Sequence, residues 1–103
     1  MANFESLWKS AQRGELILID GGFCRFHLRK DRQLTIYEII SLRPGAGSEM
    51  LEQLRQVEGT TSIFARCPVD LDANRWYKRR GFVLEAVETT RTGRQLNCWR
   101  LSL

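Results

Sequence analysis

Apolar residues along this chain change period repeatedly, and the changes mark out its elements. Phe4, Leu7, Trp8 and Ala11 recur at helical spacing, one face of a short amphipathic helix that ends at Gly14. Glu15 to Asp20 is a β-rich run, and Asp20-Gly21-Gly22 is a hairpin signal. Phe23 to Arg29 alternates, Lys30 to Gln33 is a polar turn, and Leu34 to Leu42 is the next strand. The first half therefore predicts an antiparallel meander of three strands. After Gly47 the period becomes helical, with Met50, Leu51, Leu54 and Val57 on one face and Glu49, Glu52, Gln53, Arg55 and Gln56 on the other. Gly59 ends that helix. Thr61 to Cys67 reads as a strand closed by Pro68. Leu71 to Arg80 reads as a second helix, with Val69, Ala73, Trp76 and Tyr77 on one stripe and Gly81 as its stop. Phe82 to Thr90 and Gln95 to Leu103 form a closing hairpin about Arg91-Thr92-Gly93-Arg94.

The order is α-β-β-β-α-β-α-β-β, an α/β (α+β) arrangement with a mixed sheet. The long strand–helix–strand crossover in its middle requires a parallel pair. No linker, repeat or low-complexity segment interrupts the pattern, so residues 1–103 are expected to form one domain with a single core.

Composition changes this picture little: 43% hydrophobic and 27% charged residues fit an ordinary globular protein. No apolar run approaches a membrane span. MANFESLWKSAQRGE lacks the pattern of a secretory signal, so the cytoplasm is the expected compartment. Cys24, Cys67 and Cys98, without CxxC spacing and with His27 the lone histidine, give neither a disulfide framework nor a metal site. Charge is more informative. Residues 1–65 hold eight Lys/Arg against eight Asp/Glu, and residues 66–103 eight against four, so the whole +4 excess lies in the C-terminal third. That field suits an anionic partner, phosphate or nucleic acid; a solvated basic face accounts for it as well.

The candidate chemistry begins where the third strand meets the following helix. Arg43-Pro44-Gly45-Ala46-Gly47-Ser48 is a strand-to-helix turn whose glycines leave backbone N–H groups uncovered. Such a turn suits phosphate or pyrophosphate, through amide donors and the helix dipole. The later helix then brings Tyr77 towards the same end of the sheet.

Two segments resemble the GNAT superfamily of N-acetyltransferases, and the resemblance covers roughly residues 15–103. One is the Arg43–Ser48 loop, similar to the family's Arg/Gln-x-x-Gly-x-Gly/Ala turn. The other is Trp76-Tyr77-Lys78-Arg79-Arg80-Gly81-Phe82, similar to its Tyr-x-x-x-Gly-Phe helix end, with Ala73 one turn earlier. The chain departs from the pattern in three places. Arg43 stands one residue nearer the glycines and Pro44 lacks a donor; Asp70 replaces a common Asn; one short helix precedes the sheet where the family has a strand and two roofing helices.

The resemblance implies an acetyl-CoA-dependent N-acetyltransferase acting on an amine of a small molecule or protein. It implies that Gly45, Ala46, Gly47 and Ser48 bind the pyrophosphate through their amides, with Arg43 in support. Arg75, Lys78 and Arg79 would approach the adenosine phosphate, although a solvated outer face explains them equally well. The backbone of Ile40 and Leu42 would pair with the pantetheine arm like an added strand. Tyr77 would protonate the departing sulfur, although core packing beside Trp76 also explains a tyrosine there. The missing roof favours a large acceptor or a homodimer that completes the pocket.

Glu38 is the candidate base. Strict alternation puts it on the face of Leu34, Ile36, Ile40 and Leu42, a costly place for a carboxylate unless a β-bulge or a cleft intervenes. An arginine partner at a sheet edge explains it without catalysis. His27 is a further proton carrier by chemistry, and Cys67 a nucleophile by position; the structural reading is stronger for both. A second class of function remains open: a non-catalytic binding module of the same fold that uses its basic C-terminal third on nucleic acid or an acidic protein.

Overall fold

The computed structural model describes residues 4–103. The elements are α1 (Phe4–Gln12), β1 (Leu16–Ile19), β2 (Gly22–Leu28), β3 (Gln33–Ser41) and α2 (Ala46–Arg55). They are followed by β4 (Ser62–Pro68), α3 (Ala73–Arg79), β5 (Val83–Thr89) and β6 (Gln95–Ser102). The six strands form one mixed sheet in the order β1-β2-β3-β4-β6-β5. β1, β2 and β3 are the expected meander, β3 and β4 run parallel, and the closing hairpin inserts β6 between β4 and β5.

One face of the sheet is the core. Cys24, Leu34, Ile36, Ile63, Ala65 and Trp99 point into it and meet Met50, Leu51 and Leu54 of α2 and Tyr77 of α3. Leu34, Met50, Leu54 and Ile63 are fully buried, and each such side chain stabilises the fold by about 1.5–3 kcal/mol. The opposite face carries α1 over β1 and β2, where Phe4, Leu7, Trp8 and Ala11 line an apolar groove with Leu16, Leu18 and Phe23. Phe4 and Trp8 keep much of their surface exposed, so the stripe read from the sequence is only partly covered.

Three local differences from the sequence pattern bear on the site. β3 holds a bulge: Arg25 pairs with Glu38 and Phe26 with Ile36, leaving Tyr37 as the extra residue. The bulge moves Glu38 to the face opposite Leu34 and Ile36, and Ile39 takes the core position instead. The expectation that Glu38 shares a face with Leu34 and Ile36 is therefore corrected, by the device that a carboxylate in that strand calls for.

The second difference is at α3, which begins at Ala73 rather than Leu71. Residues 69–72 form a turn, with Leu71 N–H bonded to Pro68 O and Asn74 N–H to Leu71 O, and Val69 is exposed instead of sharing the stripe. The third is at β5, an edge strand exposed along its whole length.

Candidate active site in the splay of the sheet

β3 and β4 pair only from Gln33–Ser62 to Ile36–Ala65. Beyond Ile36 the strands part: β3 continues to Ser41 on β2, and Arg66, Cys67 and Pro68 continue on β6. The bulge at Tyr37 falls directly after the last shared pair. A bulge bends and twists its strand, so the extra residue that re-aims Glu38 also turns β3 away from β4.

A cavity of about 470 Å³ lies beside the part of β3 that has left β4. Ile39 and Ser41 form one wall, the Arg43–Ser48 turn its mouth, and α3 the other wall through Ala73, Trp76, Tyr77, Arg79 and Arg80. Strand parity explains the first wall. Leu42 N–H donates to Gly21 O at 2.7 Å, so Leu42 and Ile40 direct their main-chain groups to β2. The intervening Ile39 and Ser41 direct theirs into the gap. Ile40 and Leu42 lie outside the lining, because the sequence offered no means to choose the parity.

Gly45, at φ 84°, is the N-cap of α2 and makes the left-handed turn that points the chain into the helix. No side chain caps this terminus. Gly47 and Ser48 stand in its first turn and line the cavity, and first-turn N–H groups lack partners within a helix. Ala46 is different: its N–H bonds to Arg43 O at 3.2 Å and its side chain is buried in the core. Gly47 also permits a close approach, since a Cβ there would stand 3.2 Å from Cζ2 of Trp76.

Arg43 lines the cavity, but its guanidinium is engaged. Nε donates to Asp20 O at 2.8 Å and an Nη to Glu49 Oε2 at 2.7 Å, so the side chain lies across Gly21 and clasps the β1–β2 turn to α2. Of the three basic residues expected here, Arg79 lines the cavity, as does Arg80, whereas Arg75 and Lys78 fall outside the lining. Helix geometry gives the reason: Ala73, Trp76, Tyr77 and Arg80 share one stripe of α3, whereas Arg75 and Lys78 face away. Arg80 was readable from its spacing to Trp76.

Tyr77 is buried among Trp76 and Phe82, both edge-on at 5.1 Å, and Trp99, stacked at 6.3 Å. Burial, reinforced by the neighbouring Cys67 and Cys24, pushes its hydroxyl well above the ordinary tyrosine range. Glu38 stands beside the bulge with Arg25 Nε 4.0 Å from its Oε1, outside the cavity lining. His27 bonds through Nδ1 to Glu15 and stacks on Tyr37. All three cysteines are free and buried, and burial raises the Cys67 thiol, with Asp70 adding to the effect. Among the basic residues of the C-terminal third, Arg66 is paired with Glu88 and Arg100 with Glu85. No helix among the described residues is long and apolar enough to cross a membrane.

A mixed sheet that splays between two parallel strands, with a glycine-opened helix at the mouth, is the fold of the GNAT N-acetyltransferases. Solved structures bear this out. A GNAT-family acetyltransferase from Bacillus cereus superposes with a TM-score of 0.77 at 17% identity, over 91% of this chain and 74% of that one. A Bacillus subtilis acetyltransferase in complex with CoA gives 0.73 at 16% identity, over 98% and 84%. A Bacillus anthracis acetyltransferase in complex with acetyl coenzyme A gives 0.71 at 18% identity, over 81% of this chain but 56% of its own length. At these identities the likeness is one of fold. Neither the protein-family models nor the curated proteins contain a match to the sequence.

Proposed function

We propose that this chain is an acetyl-CoA-dependent N-acetyltransferase whose donor site is the cavity between the end of β3 and α3. The observation that carries the reading is the cavity itself, in a position corresponding to the fold's splay and walled by both segments of the resemblance. Two structural neighbours bind CoA or acetyl-CoA. The residues fit that group: uncapped amides of α2 suit a pyrophosphate, Arg79 and Arg80 suit a further phosphate, and Ile39 and Ser41 offer main-chain partners to an extended amide arm.

When bound, the coenzyme supplies an acetyl group already activated as a thioester. The chain supplies position and protons. Holding both reactants lowers the barrier most, and acid–base help adds about 10²–10⁴-fold. Tyr77 is the acid: it lines the cavity, and burial leaves its Oη protonated across the physiological range. Glu38 is the base, acting through water, with Arg25 beside it to hold the carboxylate. The acceptor is an amine.

A rise in melting temperature with acetyl-CoA, followed by slower release of free thiol in Tyr77→Phe, is the expected result. Absence of binding at millimolar acetyl-CoA overturns the reading. Salt-dependent DNA binding without acetyl-CoA binding would place the chain among non-catalytic modules instead.

A further inference from the structure

α3 carries Tyr77 yet is poorly built to stay in place. It has seven residues, and its N-cap, Asp72, makes no side-chain capping bond. A helix so short is not stable by itself and must be held by its surroundings.

One side chain provides much of that hold. Asn74 Nδ2 donates to Pro68 O and to Leu71 O, each at 2.8 Å, which fixes the start of α3 to the end of β4. Its Oδ1 accepts from Asn97 Nδ2 at 3.0 Å and from Trp99 Nε1 at 2.9 Å, both on β6. Both donor positions and both lone pairs of the amide are thus in use, and no other residue of similar size offers two of each. The Trp99 ring fixed in this way lies nearly parallel to Tyr77, at 17°. Asn74 therefore grips Tyr77 twice: through the helix they share, and through the indole stacked on it.

We propose that Asn74 is a positioning residue for Tyr77, locking α3 and the Trp99 indole so that the tyrosine keeps one place in the wall of the cavity. The catalytic part of this proposal rests on Tyr77 acting as the acid. An asparagine at the start of a helix is a faint local signal of such a role, since short polar side chains there commonly bond to nearby main chain.

The test has a structural and a kinetic arm. In the free protein, NMR of the Tyr77 ring reports the stack on Trp99 through ring-current shifts. Asn74→Ala is expected to move those signals towards their unfolded positions while far-UV circular dichroism is retained. With acetyl-CoA and a mixture of primary amines, Asn74→Ala is expected to slow thiol release by about 10–100-fold, the usual cost of a misplaced group. Acetyl-CoA affinity should stay within about threefold, and in a Tyr77→Phe background the same change should slow release by less than about threefold. Trp99→Phe keeps a ring beside Tyr77 while removing the N–H that Asn74 holds together with part of the indole; it serves if Asn74→Ala does not fold.

Unmoved Tyr77 signals, or an equal loss of rate in both backgrounds, overturn the proposal. Displaced signals in Asn74→Ala, with Tyr77→Phe as fast as wild type, uphold Asn74 as the holder of Tyr77 and sink the acid assignment alone.

Discussion

Two glycines of this chain form a matched pair for testing the donor site. Gly45 and Gly93 have φ 84° and 85°, and a Cβ added at either would meet no atom within 4 Å. Alanine at either position therefore meets backbone strain without a clash. The left-handed conformation costs an L-residue about 1–2 kcal/mol, and the stiffer unfolded chain returns about 0.4–1 kcal/mol. The net loss is about 1 kcal/mol in both variants, which for a chain of this size lowers Tm by about 4–8 °C.

Their effects on binding should differ. Gly93 lies in the β5–β6 turn, away from the cavity, whereas Gly45 is the N-cap of α2 and lines it. Relief of strain at Gly45 rotates the peptide planes that present the first amides of α2. Loss of one hydrogen bond to a charged group costs about 1.5–3 kcal/mol, so acetyl-CoA affinity should fall about 10–100-fold in Gly45→Ala. Gly93→Ala should bind as wild type does. Calorimetric titration with acetyl-CoA beside thermal unfolding reads both quantities. Equal loss of stability with unchanged affinity in Gly45→Ala would refute the assignment of the turn, as would equal weakening in Gly93→Ala.

Other substitutions probe the chemistry. Tyr77→Phe should slow acetyl transfer by about 10²–10⁴-fold with little change in acetyl-CoA affinity, and wild-type turnover would remove Tyr77 from the acid role. Because burial holds the Tyr77 proton well above the ordinary range, wild-type turnover should show no alkaline fall from tyrosine ionisation near pH 10; such a fall, absent in Tyr77→Phe, would contradict the raised value. Cys67→Ala should leave turnover within about threefold, since its thiol is buried and raised; an acetylated Cys67 in a mass spectrum would establish the opposite. Glu15 gives a pH signature: burial works to raise its pKa, but hydrogen bonds from Arg13 and His27 prevail and lower it below 4.5. A depressed carboxylate stabilises the fold above 4.5 and loses that contribution as pH falls through its folded value, so Glu15→Gln should flatten the acid limb of stability against pH. An unchanged acid limb would show that the pairs contribute nothing.

The order of elements was legible because period and punctuation agreed. The run from Leu34 reads as a strand, Met50, Leu51 and Leu54 as a helix face, and Gly59 and Gly81 as stops, all close to where the chain turns. The glycine turn and the Tyr77 helix were likewise legible as lying at one end of the sheet, and both line one cavity. What failed to show was parity and rotation. A single bulge at Tyr37 exchanges the faces of every later residue in β3, so Ile40 and Leu42 were expected where Ile39 and Ser41 stand. Arg75, Lys78 and Arg79 suit a phosphate by charge, but charge does not report helical phase, which takes Arg75 and Lys78 away from Trp76 and out of the lining. The engagement of Arg43 with Asp20 and Glu49 depends on a contact between distant segments, which no local pattern encodes.

The surplus residue at Tyr37 has a wider consequence. Because the recess opens where one backbone carries an extra residue, its opening is set by main chain before it is set by side chains. Side chains around the chamber can therefore be exchanged without closing it.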